Sequence, residues 1–211
     1  MANIYFYQSK NFTYKTLLEQ NTEIIKRELI NFLDTNSGSW VSVYPNYLPP
    51  LAVWKTFPLI FFGIHHRENQ NFCPETTKLI KQIPELVLAE FSILHPHSHI
   101  LPHKGYSNTV LRNHLPLIVP DGKQCALKIE DETHFWEKGK LVVFDDSFVH
   151  EAWNNSDEIR VVLMFDVAKP DCGYSAREIC KYKLENLTDE NLLKIAPKEI
   201  WLNWLEKGYF G

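Results

Sequence analysis

LVLAEFSIL (Leu86–Leu94), TVLRNHLPLIV (Thr109–Val119), CALKI (Cys125–Ile129), LVVF (Leu141–Phe144) and RVVLMFDV (Arg160–Val167) follow one another through the second half of the chain. Each is rich in β-branched and aromatic residues, and the breaks between them carry Pro, Gly, Asp and Asn. Short runs of this kind, with no helical period between them, predict antiparallel strands closing into a barrel or jelly roll rather than a doubly wound parallel sheet.

Toward the N-terminus the pattern changes. From Thr13 to Leu33, Leu17, Leu18, Ile24, Ile25, Leu29, Ile30 and Leu33 recur at steps of three and four, which predicts an amphipathic helix. The stretch from Asn36 to Pro50 reads as a loop, Val53–Phe62 as a short apolar segment, and Thr76–Ile83, after Pro74, as a second helix. Toward the C-terminus, Ala176–Trp204 returns to helical character, with Leu184, Leu187, Leu192, Leu193, Ile195 and Ile200 as candidate packing residues. The fold class expected is mainly β with flanking helices around a double-stranded β-helix core. It forms one domain over residues 1–211: a helical part to about 84, a β core over about 85–170 and a helical tail from about 171.

Composition narrows the function. With 22 Lys+Arg against 26 Asp+Glu the net charge is −4, and no basic run offers a footprint for phosphates, so nucleic acid is not the expected partner. No apolar run approaches the roughly 20 residues that span a bilayer, and the N-terminus lacks a basic head followed by an apolar stretch. Cys73, Cys125, Cys172 and Cys180 form no CxxC pair, which points to reduced thiols. A cytoplasmic protein without a membrane anchor is the expectation.

Five of the nine histidines fall between His95 and His114, and such clustering suggests a metal. Iron(II) that must also bind a bidentate co-substrate and oxygen needs few protein ligands, usually two imidazoles and a carboxylate on one face. A basic residue about ten positions past the second histidine commonly receives the distal carboxylate of 2-oxoglutarate, because a guanidinium fork matches a carboxylate. His150 ends FDDSFVH, and Arg160 opens a strand ten residues later. For the other ligand there are three candidates, His97, His99 and His103. His103 is favoured because PHKG leads into a strand on which Arg112 and His114 alternate to one face. No acid stands two residues beyond it, where the chain has Gly105. Asp145 and Asp146 read equally as turn formers.

The segments FSILHPHSHILPHKGYSNTVLRNHLPLIVP, FWEKGKLVVFDDSFVHEAWN and RVVLMFDV together resemble the aspartyl/asparaginyl β-hydroxylase family of 2-oxoglutarate oxygenases, over roughly Cys73 to Pro170. In that family a glycine replaces the carboxylate ligand, and Gly105 agrees. The resemblance implies His103 and His150 as iron ligands, Arg160 with Ser92 and His114 as the 2-oxoglutarate site, and Arg112 as a contact for a substrate carboxylate. The position two before Arg112, basic in better-known members, is Val110, so a second cation for an acidic substrate is missing. With two neutral imidazoles, ligand retention must lean on outer hydrogen bonds, and Asp146 is the candidate for holding a water in the metal's shell.

The function implied is an Fe(II)- and O2-using, 2-oxoglutarate-dependent hydroxylase acting on an unactivated carbon. Its substrate would be an amino acid, an Asp/Asn residue in a peptide or a related small carboxylate. The alternatives are halogenation, with halide at the position Gly105 leaves open, hydroxylation of a lipid acyl chain, and a non-catalytic cupin-like binding module. Trp136 and Trp153 are expected at the barrel mouth.

Overall fold

The structure, a computed structural model, describes residues 4–33, 40–42 and 45–210. Its strands are β1 (Phe6–Tyr7), β2 (Val41–Ser42), β3 (Trp54–Phe61), β4 (Ile64–His65), β5 (Leu86–Leu94), β6 (Ser98–His103), β7 (Val110–Ile118), β8 (Cys125–Ile129), β9 (Glu132–Phe135), β10 (Val142–Phe144), β11 (His150–Asn154) and β12 (Arg160–Ala168). The α-helices are α1 (Tyr14–Gln20), α2 (Thr22–Leu33), α3 (Arg67–Phe72), α4 (Pro74–Ile80), α5 (Ala176–Glu185), α6 (Glu190–Ile195) and α7 (Lys198–Lys207). The larger sheet runs β1-β10-β7-β12-β5-β3-β2, with β4 on β3, and the smaller runs β6-β11-β8-β9. Every strand pair in both sheets is antiparallel. Two sheets enclosing a lined interior form the double-stranded β-helix that the strand pattern predicted.

Three clusters of buried side chains hold this arrangement. The outer face of the large sheet presents Phe57, Phe91, Leu111, Leu115, Leu163 and Phe165 to Ile25, Leu29 and Phe32 of α2. Phe32 and Phe57 stack with centroids 4.5 Å apart. Burying each such side chain contributes about 1.5–3 kcal/mol, and these contacts fix the sheet's back. A second cluster packs Ile179, Cys180, Leu184, Trp201 and Leu205 of α5 and α7 against Phe62, Ile64 and Val87. The third lies between the sheets, where Leu94, Ile100, Leu127, Ile129, Trp136 and Phe144 meet.

The differences from expectation have local causes. The Thr13–Leu33 helix is two helices, because the Asn21 side chain bonds the carbonyl of Leu17 and ends α1. Ile24 and Ile30 face solvent; Ile25, Leu29 and Phe32, spaced four and three apart, carry the buried stripe. The second helix starts earlier, at Pro74, because Glu28 of α2 caps it by accepting from the Glu75 and Thr76 amides. The N-terminal part is not purely helical: Val53–Phe62 supplies β3, inside the large sheet beside β5. Of the expected packing residues in the tail, Leu184 and Leu187 are buried, while Leu193, Ile195 and Ile200 are exposed. Much of the Asn36–Pro50 loop, residues 36–39, 43 and 44, lies outside the described residues.

Candidate active site

His103 closes β6 and His150 opens β11, and the two are direct partners across the antiparallel ladder. Their ring centroids lie 4.2 Å apart. Each ring is held by the carbonyl two residues before it: His103 Nδ1 lies 2.7 Å from the Leu101 oxygen and His150 Nδ1 3.0 Å from the Phe148 oxygen. Since a carbonyl only accepts, both Nδ1 atoms carry the proton, and both Nε2 lone pairs are left for another partner. Burial holds both imidazoles below their ordinary pKa, His150 down to about 3 with help from His103. Two neutral imidazoles with free Nε2 atoms on adjacent strands fit a divalent transition metal. Among the described residues no third His, Cys, Asp or Glu joins them in a metal-holding group.

The other histidine candidates point elsewhere. His97 is exposed beside Asp157, and His99 faces outward, its Nε2 2.8 Å from Glu151. Trp153, expected at the mouth, sits beside His99 on the same outer face, whereas Trp136 is buried between the sheets. The alternation of β11 decides this: His150, Ala152 and Asn154 turn inward and the residues between them outward.

Beyond the histidine pair the inner face of the large sheet carries Arg160 and Ser92. Ser92 pairs with Val162 and Arg160 with Leu94, which places the two residues diagonally on one face. Arg160 is 1% exposed; among the described residues its Nε and Nη1 have no hydrogen-bond partner, and its guanidinium lies over the Trp136 ring at 4.7 Å. Burial pulls its pKa down to about 10. His114 is also buried with neither nitrogen bonded, and burial followed by Arg160 keeps it well below its ordinary pKa. A buried cation without a counter-ion among the described residues is costly, and this corner fits an anion.

Arg112 is differently placed from what the resemblance implies. Its Nε and Nη2 donate to the two oxygens of Asp166 at 2.9 and 2.8 Å, and its Nη1 lies 3.0 Å from Asp146 Oδ2. Burial opposes its charge, and these carboxylates outweigh burial, holding it well above the ordinary arginine value. Its fork is therefore committed to protein acids. Asp146 is fully buried, with Oδ1 lacking a hydrogen-bond partner, and burial lifts its carboxyl to about 7 against the pull of Arg112. Any Cβ at Gly105 would overlap that carboxylate, and the Gly105 amide donates to the Asp146 carbonyl at 2.6 Å. The missing acid at 105 and the acid at 146 are thus one steric arrangement. Asp145, by contrast, caps its own turn through Ser147 and pairs with Lys169.

Four residues at this site escaped the sequence reading. Glu90 and Asp166 are buried acids at inward positions of β5 and β12, and their polar break in an otherwise apolar strand was a usable signal. Trp54 donates from Nε1 to Ser92 Oγ at 2.9 Å, and the Tyr47 ring stacks on His103 at 4.5 Å and 19°. Neither stands out in the sequence, since one lies in a loop and the other begins an apolar segment.

Two antiparallel sheets around a histidine pair and an anion corner define a β-helix protein with a metal-competent interior. A family model described as aspartyl/asparaginyl β-hydroxylase matches residues 19–170, and the chain belongs to that family. Ornithine lipid ester-linked acyl 2-hydroxylase of Rhizobium tropici is 35% identical over 175 residues, covering 81% of this chain and 62% of the relative. Human aspartyl/asparaginyl β-hydroxylase is 35% identical over 162 residues, covering 73% of this chain and 21% of the relative. The chain thus spans less than two thirds of the length of either. Among solved structures, AviO1 from Streptomyces viridochromogenes aligns with TM-score 0.47 and 12% identity, over 77% of this chain and 87% of that one. No helix among the described residues is long and apolar enough to cross a membrane.

Proposed function

We propose that this chain is a non-haem iron(II), 2-oxoglutarate-dependent oxygenase that hydroxylates an unactivated carbon. The observation that carries the reading is the pairing, in one interior, of two imidazoles with free Nε2 atoms and a buried guanidinium lacking a counter-ion. His103 and His150 would hold the metal, and Arg160, with Ser92 and His114, the distal carboxylate of 2-oxoglutarate. Iron(II) and 2-oxoglutarate together supply the activation of O2, with succinate and carbon dioxide as co-products.

The chain's own part is positioning. The Leu101 and Phe148 carbonyls fix the tautomers, so both rings offer an Nε2 that has no proton to lose. Arg160 brings charge and fork geometry to the diacid, and its burial strengthens that attraction. Ser92 Oγ accepts from the Trp54 indole, a donor only, which leaves the Ser92 proton for the diacid. Asp146 offers an unpaired Oδ1 for a water beside the metal. Because that carboxylate fills the space beside Gly105, a halide there would face an acid, which favours hydroxylation over halogenation.

For the substrate, a lipid acyl chain accounts for more of the observations than an acidic side chain. Val110 is apolar and fully buried, Arg112 is already paired with Asp166, and the lipid hydroxylase relative matches more of this chain than the human enzyme does. A small carboxylate or an Asp/Asn residue in a peptide is the competing substrate. The test is succinate release under anaerobic loading and then oxygen, with an acyl ester lipid in mixed micelles and with an Asp-containing peptide. Release above the substrate-free rate is expected with the lipid; release with the peptide alone reverses the choice of substrate. Equal turnover by His103→Ala rejects the oxygenase reading.

A further inference from the structure

The segment from Tyr47 to Trp54 touches both halves of the site. At one end the Tyr47 ring lies nearly parallel to His103, which also meets the His150 ring. At the other end Trp54 donates to Ser92 Oγ, and the buried indole begins β3, paired with Leu94. Between them the segment is pinned to the turn that joins β5 to β6. The Val53 amide donates to Ser98 Oγ at 2.9 Å, the His95 amide donates to the Val53 carbonyl at 3.0 Å, and the Ala52 amide closes a turn on Pro49 at 3.1 Å. Pro49 and Pro50 restrict the chain further.

We infer that this segment is a strap in which Tyr47 and Trp54 are positioning residues, Tyr47 for the plane of the metal-ligand imidazole and Trp54 for the hydroxyl proton of Ser92. The inference rests on the metal and 2-oxoglutarate reading above. A two-imidazole site has no third ligand to fix its geometry. The ring of His103 is held in plane by one bond to Leu101, and a flat aromatic surface removes its freedom to tilt about that bond. Indole can only donate, so Ser92 accepts there and its own proton stays available to another acceptor. Without Trp54, the hydroxyl is free to rotate its proton toward a backbone carbonyl.

The test measures two affinities separately in purified, anaerobic protein. Cobalt(II) binding is followed by its visible absorption, and 2-oxoglutarate binding by calorimetry at saturating cobalt. Tyr47→Ala is expected to weaken cobalt roughly tenfold, as outer partners of metal ligands do. Tyr47→Phe, which keeps the stacked ring, is expected to restore it. Trp54→Phe is expected to weaken 2-oxoglutarate about three- to tenfold, the loss of one hydrogen bond, with cobalt affinity unchanged. Wild-type affinities in Tyr47→Ala and Trp54→Phe, even with lowered melting temperatures, would overturn the strap and leave both residues merely structural. Tyr47→Leu replaces Tyr47→Ala if the latter does not fold, with the same expectation. His103→Ala and Arg160→Ala separate the two failures. If these retain cobalt and 2-oxoglutarate, the site assignment itself is wrong; if they lose them while the strap variants do not, only the strap falls.

Discussion

At position 105 the absence of a side chain is a steric requirement, since any Cβ there meets the carboxylate of Asp146. Gly105→Ala is therefore expected to displace Asp146 and weaken cobalt binding by at least tenfold, although no ligand is removed; unchanged affinity would show that Asp146 has room to move. Glu90 makes a second prediction. Burial lifts its carboxyl to about 7, above the value it has in the unfolded chain. The folded state therefore holds a proton that the unfolded state has released, and stability falls as pH rises from about 4.5 through 7. The loss is on the order of 3 kcal/mol, and Glu90→Gln should flatten the pH dependence of the melting temperature and melt higher than wild type at pH 8. A steeper slope in the variant would contradict this. His103, His150 and Arg160 drew notice because their spacing is itself a pattern, and the structure pairs His103 with His150 and buries Arg160. The commitment of Arg112 to Asp166 was not, because a bidentate pair 54 residues apart depends on strand register.

Among the elements, legibility followed burial. β5, β7, β8, β10 and β12 were read within a residue of their ends, since a strand buried on both faces is a continuous apolar run. β6 and β11 were missed as strands although they carry His103 and His150. Their outward positions hold His99, Glu151 and Trp153, and their inward ones are partly polar, so the sequence shows no clean alternation. The Thr76–Ile83 helix was read late because its cap comes from another helix. Glu28 accepts from the Glu75 and Thr76 amides and from Thr76 Oγ1 at 2.7–2.8 Å. Glu28→Ala should cost about 1–2 kcal/mol in denaturant unfolding, without altering metal affinity. A change below about 0.3 kcal/mol would mean that α4 is held by packing alone.

Over the whole molecule, charged and hydrogen-bonding groups are left unpaired inside the β-helix, and on the proposed reading these are the groups that metal and 2-oxoglutarate would meet. Among the described residues Arg160 Nε and Nη1, both His114 nitrogens and Asp146 Oδ1 lack hydrogen-bond partners, and a ligand that supplies them must stabilise the native state by mass action. At 100 times its dissociation constant this amounts to about 2.7 kcal/mol, or roughly 5–10 °C for a domain of this size. Nickel with 2-oxoglutarate should raise the melting temperature by that amount, a chelator should reverse it, and Arg160→Ala should abolish the part due to 2-oxoglutarate. The β architecture at this scale was readable from strand spacing alone, whereas the apolar exposure of Leu193, Ile195 and Ile200 was not, because helical periodicity does not say which stripe finds a partner. The most direct test of the central claim is a crystal structure with nickel and 2-oxoglutarate under anaerobic conditions. One metal is expected about 2.0–2.2 Å from Nε2 of both His103 and His150, with the distal carboxylate on Arg160. A metal bound elsewhere, or a 2-oxoglutarate that leaves the Arg160 guanidinium bare, would contradict it.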